Sequence, residues 1–191
     1  LAFKTTVLSG LISIALTVAI LTYDGYFKQF GFAGPLNMGI CRGLNLLMGM
    51  SILGSLTHWY ISLVPVVYIF AITLISRGEV HGDNKKHIVW AGILYAIVIL
   101  SITLIVMQQK DNLLVLLPFI LMFGFLIYSP LIKAYKVNSP KNIKKAVMGG
   151  VLSLIVMNAC WVAGFSNWYL ALAVLLLLPL SMLLSKLFAV T

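Results

Sequence analysis

The chain has 191 residues, of which 62% are hydrophobic and 9% are charged, and its formal net charge is +9. Soluble proteins have roughly 25% charged residues, so this composition excludes a chain that faces water on all sides and indicates a polytopic membrane protein. The basic residues lie in short segments between apolar runs. That placement is typical of membrane loops and headgroup contacts, and it argues against a nucleic-acid partner.

Seven apolar runs come close to the roughly 20 residues that a helix needs to cross a bilayer. We therefore predict an all-α fold, a polytopic transmembrane helical bundle with seven spans that forms a single domain over residues 1–191. Pro65, Pro118 and Pro179 lie inside predicted spans, where they should kink the helices. The predicted spans are 5–22, 36–56, 59–76, 88–107, 113–132, 146–164 and 168–186.

The distribution of Lys and Arg predicts the orientation. In an alternating seven-span arrangement, ten of the 13 basic residues fall on one face, in segments 23–35, 77–87 and 133–145 and at Lys186. The positive-inside rule makes that face cytoplasmic. The first residue would then lie outside, so we expect further helices before it and read the chain as the C-terminal part of a nine- to ten-span protein.

Arg42 lies about six residues into the second predicted span, roughly 9 Å along its axis. An arginine inside a span costs at least a few kcal/mol on insertion scales, so it should face the bundle interior and meet a partner. Asp24 is one candidate and an anionic ligand is another. Asn37, Cys41 and Asn45 follow at four-residue steps and form a stripe beside Arg42. The alternative is that Arg42 reaches the nearby headgroups and has no chemical role.

Glu79 and Asp83 are two of the four acidic residues in the chain. Their spacing of four would place both carboxylates on one face of a helical turn, where they could bind one cation. The alternative is a solvated loop in which Arg77, Lys85 and Lys86 balance the carboxylates.

Three segments together resemble the UbiA prenyltransferase superfamily, and within it the EboC-like branch. They are YDGYFK at 23–28, GPLNMGICRGLNLLMG at 34–49 and SRGEVHG at 76–82. These features follow one another in the order found in the C-terminal two-thirds of the family's proteins. A span ending in Tyr and Lys is followed by a Gly-rich helix, then by another span, and then by two carboxylates four residues apart. The family's first acidic motif is absent from these 191 residues, and Glu79 stands where the family has Asp.

The resemblance implies an integral-membrane prenyltransferase of a bacterial inner membrane, which moves a prenyl group from an isoprenyl diphosphate to a lipophilic or aromatic acceptor. It implies Mg²⁺ as cofactor, with Glu79 and Asp83 as catalytic metal ligands. It also implies an apolar cavity wall formed by residues such as Leu44, Met48 and Tyr68. The diphosphate-binding residues that it implies are Tyr23, Lys28, Arg42 and Asn45.

Two other functions stay open at this point. A catalytically incomplete UbiA-like protein would bind a lipophilic metabolite, or help to export it, without turning it over. An ordinary transporter bundle is the third possibility, although the sequence shows no inverted repeat of broken helices.

Overall fold

The computed structural model describes residues 2–79, 85–108 and 113–187, with side chains described up to residue 184. Helices make up 89% of these residues and no strand occurs among them, which confirms the all-α prediction. Short 3₁₀ helices cover Phe27–Gln29, Ser51–Leu53 and Trp59–Ser62. The α-helices are α1 (Ala2–Thr5), α2 (Val7–Gly25), α3 (Ala33–Met50), α4 (Leu63–Ser76), α5 (Lys85–Met107), α6 (Leu113–Lys136), α7 (Pro140–Phe165), α8 (Trp168–Leu175) and α9 (Leu177–Leu187).

Six helical segments in the described ranges are long and apolar enough to cross a membrane. Large apolar side chains on them stay exposed, such as Leu21 on α2 and Phe125 on α6. A bilayer would cover such side chains, and the chain is therefore an integral membrane protein. The six segments are Val7–Gly25, Ala33–Leu53, Trp59–Ser76, Lys85–Met107, Leu113–Lys136 and Pro140–Phe165.

The seventh predicted span is divided between two shorter helices, α8 and α9, which meet at Leu176. Pro179 explains the break, because its ring clashes with the carbonyl four residues earlier and it has no N–H to donate. That carbonyl belongs to Leu175, the last residue of α8. The seven-span count is thus not confirmed and stays a prediction.

The basic segment 133–145, which we predicted as a loop, is largely helical, and the predicted loop 77–87 ends in the first residues of α5. Of segment 133–145, only residues 137–139 lie between α6 and α7, and α5 already begins at Lys85. Ser139 accepts a hydrogen bond from the Asn142 N–H (3.4 Å), and Pro140 occupies the first helical turn. Both residues favour a helix start, so α7 begins before the apolar run that predicted it. Lys is a good helix former and extends a helix past the apolar region.

The chain divides into two compact units, residues 1–74 and 75–191. In the first unit, α2 and α3 pack antiparallel. The Asn37 side-chain amide donates to the Ala19 carbonyl (3.0 Å) near one end, and the hydroxyls of Ser9 and Ser51 are hydrogen-bonded (2.8 Å) near the other.

The other side of α3 approaches α4 at two glycines. A Cβ on Gly39 would lie 2.5 Å from the Val66 carbonyl oxygen, and one on Gly43 would lie 2.6 Å from Val66 Cγ2. Small residues let membrane helices approach this closely. Phe32 and Phe70 add an edge-to-face ring pair at 5.3 Å. Helix α3 is therefore held between α2 and α4.

The second unit contains α5, α6 and α7 as its long helices. Helices α5 and α6 are antiparallel, since the Tyr128 hydroxyl donates to the Gly92 carbonyl (2.8 Å) and Lys85 lies over the Tyr135 ring. Helix α7 packs on α6 where a Cβ on Gly149 would lie 3.0 Å from Pro130 Cγ.

Gly39→Ala should destabilise the protein by roughly 1–3 kcal/mol, because the added methyl group meets the α4 backbone, which cannot move as a flexible side chain can. Thermal unfolding in detergent micelles measures the effect. Gly49→Ala is the matched control, since a Cβ there has nothing within 4 Å. It should be neutral or stabilise α3 by up to about 1 kcal/mol. Equal unfolding midpoints for both variants would contradict the close packing.

Candidate functional site

The first unit contains a groove of about 360 Å³, which is within the range of roughly 300–1,000 Å³ that ligand pockets have. Side chains one helical turn apart on α2 and α3 form most of it, together with one residue of α4. Its lining residues are Leu16, Ile20, Met38, Cys41, Arg42, Asn45 and Ile69.

Arg42 lies further along its helix than the sequence indicated. Helix α3 begins at Ala33, three residues before the predicted span, so Arg42 follows its first residue by about 14 Å along the axis. The apolar segment to which it belongs continues to Leu53. Arg42 is therefore near the middle of the segment, where insertion scales give a cost of about 2.5–3.5 kcal/mol.

No carboxylate in the described ranges lies within 4.0 Å of the Arg42 guanidinium. Asp24, which we considered as its partner, is exposed at the end of α2. Arg42 is half-buried and lines the groove instead. A cation at this depth favours an anion in the groove, since the surrounding low dielectric strengthens their attraction.

The polar stripe on α3 divides into a structural part and a part available to a ligand. Asn37 is buried, and its amide donates to the Ala19 carbonyl and to the Thr22 hydroxyl (3.4 Å), so it joins α3 to α2. Cys41 and Asn45 line the groove, and Asn45 is exposed there. The structure thus brings Arg42 and Asn45 together in one groove, and their role in diphosphate binding stays a prediction.

Tyr23 and Lys28 are not among the described residues that line the groove. Tyr23 is half-buried in the last turn of α2, three residues after Ile20 and on the same helix face. Lys28 is exposed in the 3₁₀ helix Phe27–Gln29, before α3 begins. A shared cavity for Lys28 and Arg42 therefore stays a prediction.

The predicted metal ligands are described only in part. Glu79 is half-buried in the turn that follows α4, where its N–H donates to the Ser76 carbonyl (3.0 Å). Asp83 lies outside the described residues. Among the residues that the structure does describe, no three His, Cys, Asp or Glu side chains come together as a metal site would require. Binding of Mg²⁺ by Glu79 and Asp83 therefore stays a prediction.

The apolar wall of the groove consists of residues that differ from those predicted. They are Leu16 and Ile20 of α2, Met38 of α3 and Ile69 of α4, in place of the expected Leu44, Met48 and Tyr68. The spacing of Met38, Arg42 and Asn45 could have identified the α3 face, since these residues follow at intervals of four and three. The α2 and α4 residues depend on helix packing, which no local pattern encodes.

The groove is amphiphilic, with one guanidinium and one carboxamide set among aliphatic and thioether side chains. Arginine presents a planar fork of donors that matches phosphate and carboxylate oxygens. The groove could therefore hold a molecule with an anionic head and an apolar chain. Comparisons with models of protein families, with curated proteins and with solved structures found no match to this chain.

Proposed function

We propose that the protein is a UbiA-type membrane prenyltransferase that transfers a prenyl group from an isoprenyl diphosphate to a lipophilic or aromatic acceptor. The observation that carries the proposal is the groove that Arg42, without a carboxylate partner in the described ranges, lines together with Asn45 and several apolar side chains. The sequence resemblance at 23–28, 34–49 and 76–82 supports it independently.

The chemistry of prenyl transfer needs the features that the groove combines. The bond between the allylic carbon and the bridging oxygen breaks, its electron pair leaves with the diphosphate, and the acceptor attacks the resulting cation and loses a proton. A fixed guanidinium lowers the barrier by stabilising the negative charge that develops on the diphosphate. Apolar walls such as Leu16, Ile20 and Ile69 would hold the prenyl chain and exclude water from the cation.

Arg42→Ala in the full-length protein should weaken binding of a thiodiphosphate analogue of the donor by about 10- to 100-fold, because charge-assisted hydrogen bonds each contribute roughly 1.5–3 kcal/mol. Arg42→Lys should fall between wild type and Arg42→Ala, since Lys keeps the charge but loses the planar fork. The dissociation constant is measured in nanodiscs by calorimetry.

Two controls accompany this measurement. Lys144→Ala removes a positive charge from an exposed position on α7, and Cys41→Ala changes the groove without changing its charge. Both should bind the analogue within about twofold of wild type, a difference of less than roughly 0.5 kcal/mol. An unchanged affinity in Arg42→Ala would remove this residue from the site.

The resemblance assigns Mg²⁺ to Glu79 and Asp83, and this assignment has its own test. Glu79→Gln and Asp83→Asn should each lower Mg²⁺-dependent release of diphosphate by at least about 100-fold, because a metal contributes several kcal/mol to stabilising a phosphoryl leaving group. Asp24→Asn is the control, since Asp24 is exposed at the end of α2. Variants at 79 and 83 with wild-type release would contradict the assignment.

A second candidate function is binding of an isoprenoid or a similar amphiphile without turnover. It is favoured by the lining of the groove, in which the described residues include a cation but no carboxylate. Wild-type protein that binds the donor, yet releases no diphosphate with any acceptor, would support this carrier function over transfer.

We also propose that α8 and α9 together form the seventh crossing. Labelling of single cysteines in a Cys41→Ser, Cys160→Ala background tests this. Cysteines at Lys141 and Thr191 should react from the same face and a cysteine at Asn167 from the opposite one, because an additional crossing separates Asn167 from Thr191. If Thr191 and Asn167 react from one face, α8 and α9 do not cross the bilayer.

A further inference from the structure

A second groove, of about 200 Å³, lies between α5 and α6 in the second unit. Its walls are the first turns of α5 and the last turns of α6, so it is at the end of this helix pair where the basic residues cluster. The Tyr128 hydroxyl donates a hydrogen bond to the Gly92 carbonyl, so the hydroxyl has its partner within the helix pair. The lining residues are Ile88, Val89, Gly92, Tyr128, Leu131, Ile132 and Tyr135.

Two lysines extend the groove toward the end of the helix pair. Lys85 precedes Val89 by one helical turn, and Lys136 follows Ile132 by one turn, so each continues a row of lining residues. The Lys85 ammonium lies 5.8 Å from the centroid of the Tyr135 ring, within the range of a cation–π interaction. Both lysine side chains are exposed.

We propose that this groove binds an anionic phospholipid, with an acyl chain along the apolar walls and the phosphate at Lys85 and Lys136. The charge complementarity carries the choice of ligand, because the groove itself is apolar and the two cations lie only at its end. Lysines and tyrosines at the edge of a membrane helix pair are where anionic headgroups bind. The proposal does not depend on prenyl transfer, since it concerns the second unit alone.

Native mass spectrometry of the full-length protein, released from micelles with phosphatidylglycerol or phosphatidylcholine of identical acyl chains, tests the proposal. The wild type should retain phosphatidylglycerol preferentially. Lys85→Gln combined with Lys136→Gln should reduce that preference by about 10- to 30-fold. Each basic residue near the membrane surface strengthens binding of an anionic headgroup by a similar amount, and the double variant removes two of them. The matched control is Lys141→Gln with Lys144→Gln, which removes the same charge from exposed positions in the first turns of α7.

Val89→Trp tests the apolar part of the site. Val89 is exposed, so the larger ring can fill the groove without entering the core, and retention of phosphatidylglycerol should fall. Ile97→Trp places the same ring at an exposed position two turns further along α5, outside the described lining, and should not change retention. Unchanged thermal unfolding of each variant shows that the fold is intact.

Three results would overturn the proposal. Equal retention of the two lipids by the wild type would show that no anionic headgroup is selected. Equal losses in the 85/136 and 141/144 double variants would show diffuse surface attraction in place of a site. Full retention by Val89→Trp would show that the acyl chain does not occupy the groove.

Discussion

The position of α3 between its two neighbours is the constraint on which the candidate site depends. On one side the Asn37 amide bonds to the α2 backbone at Ala19, and on the other Gly39 and Gly43 allow α4 to approach to within contact of the α3 backbone. These contacts fix the rotation of α3 about its axis. The rotation in turn places Arg42 in the groove, where its charge can meet a ligand.

A guanidinium in the middle of an apolar segment is costly, and among the described residues no carboxylate pairs with that of Arg42. An ordinary surface arginine would reach the headgroups, but Arg42 follows the start of α3 by about 14 Å and lines a groove with Met38 and Ile69. A prenyl diphosphate has a diphosphate that can pair with the guanidinium and a hydrocarbon chain that can pack against the apolar walls of the groove. The proposed transferase and the carrier without turnover share this binding step and differ only in the fate of the diphosphate.

Much of the fold was predictable because apolar run length and helix formation are local properties of the sequence. The spans up to residue 164 correspond to helices, although their ends differ: Lys-rich segments continue α6 and begin α7, since charge ends an apolar run but not a helix. A kink at Pro179 was predicted, but not that it would divide the span at Leu176. The effect of a proline depends on whether neighbours satisfy the freed backbone groups, and α6 continues through Pro118 and Pro130.

The polar residues of the groove, Arg42 and Asn45, were likewise predictable from the spacing along α3 alone. The residues that α2 and α4 contribute were not, because helix packing determines which of them line the groove.

Photo-crosslinking tests the central claim, that the groove of the first unit binds a prenyl diphosphate, most directly. A diazirine placed on the prenyl chain of a farnesyl diphosphate analogue should label peptides containing Leu16, Ile20 or Ile69, because these side chains form the apolar wall. Excess unlabelled donor should abolish the labelling, and Arg42→Ala should reduce it by roughly 10-fold or more at a probe concentration below the wild-type dissociation constant. Labelling of Arg42→Ala as strong as that of the wild type, or labelling mainly on peptides of residues 75–191, would contradict the account.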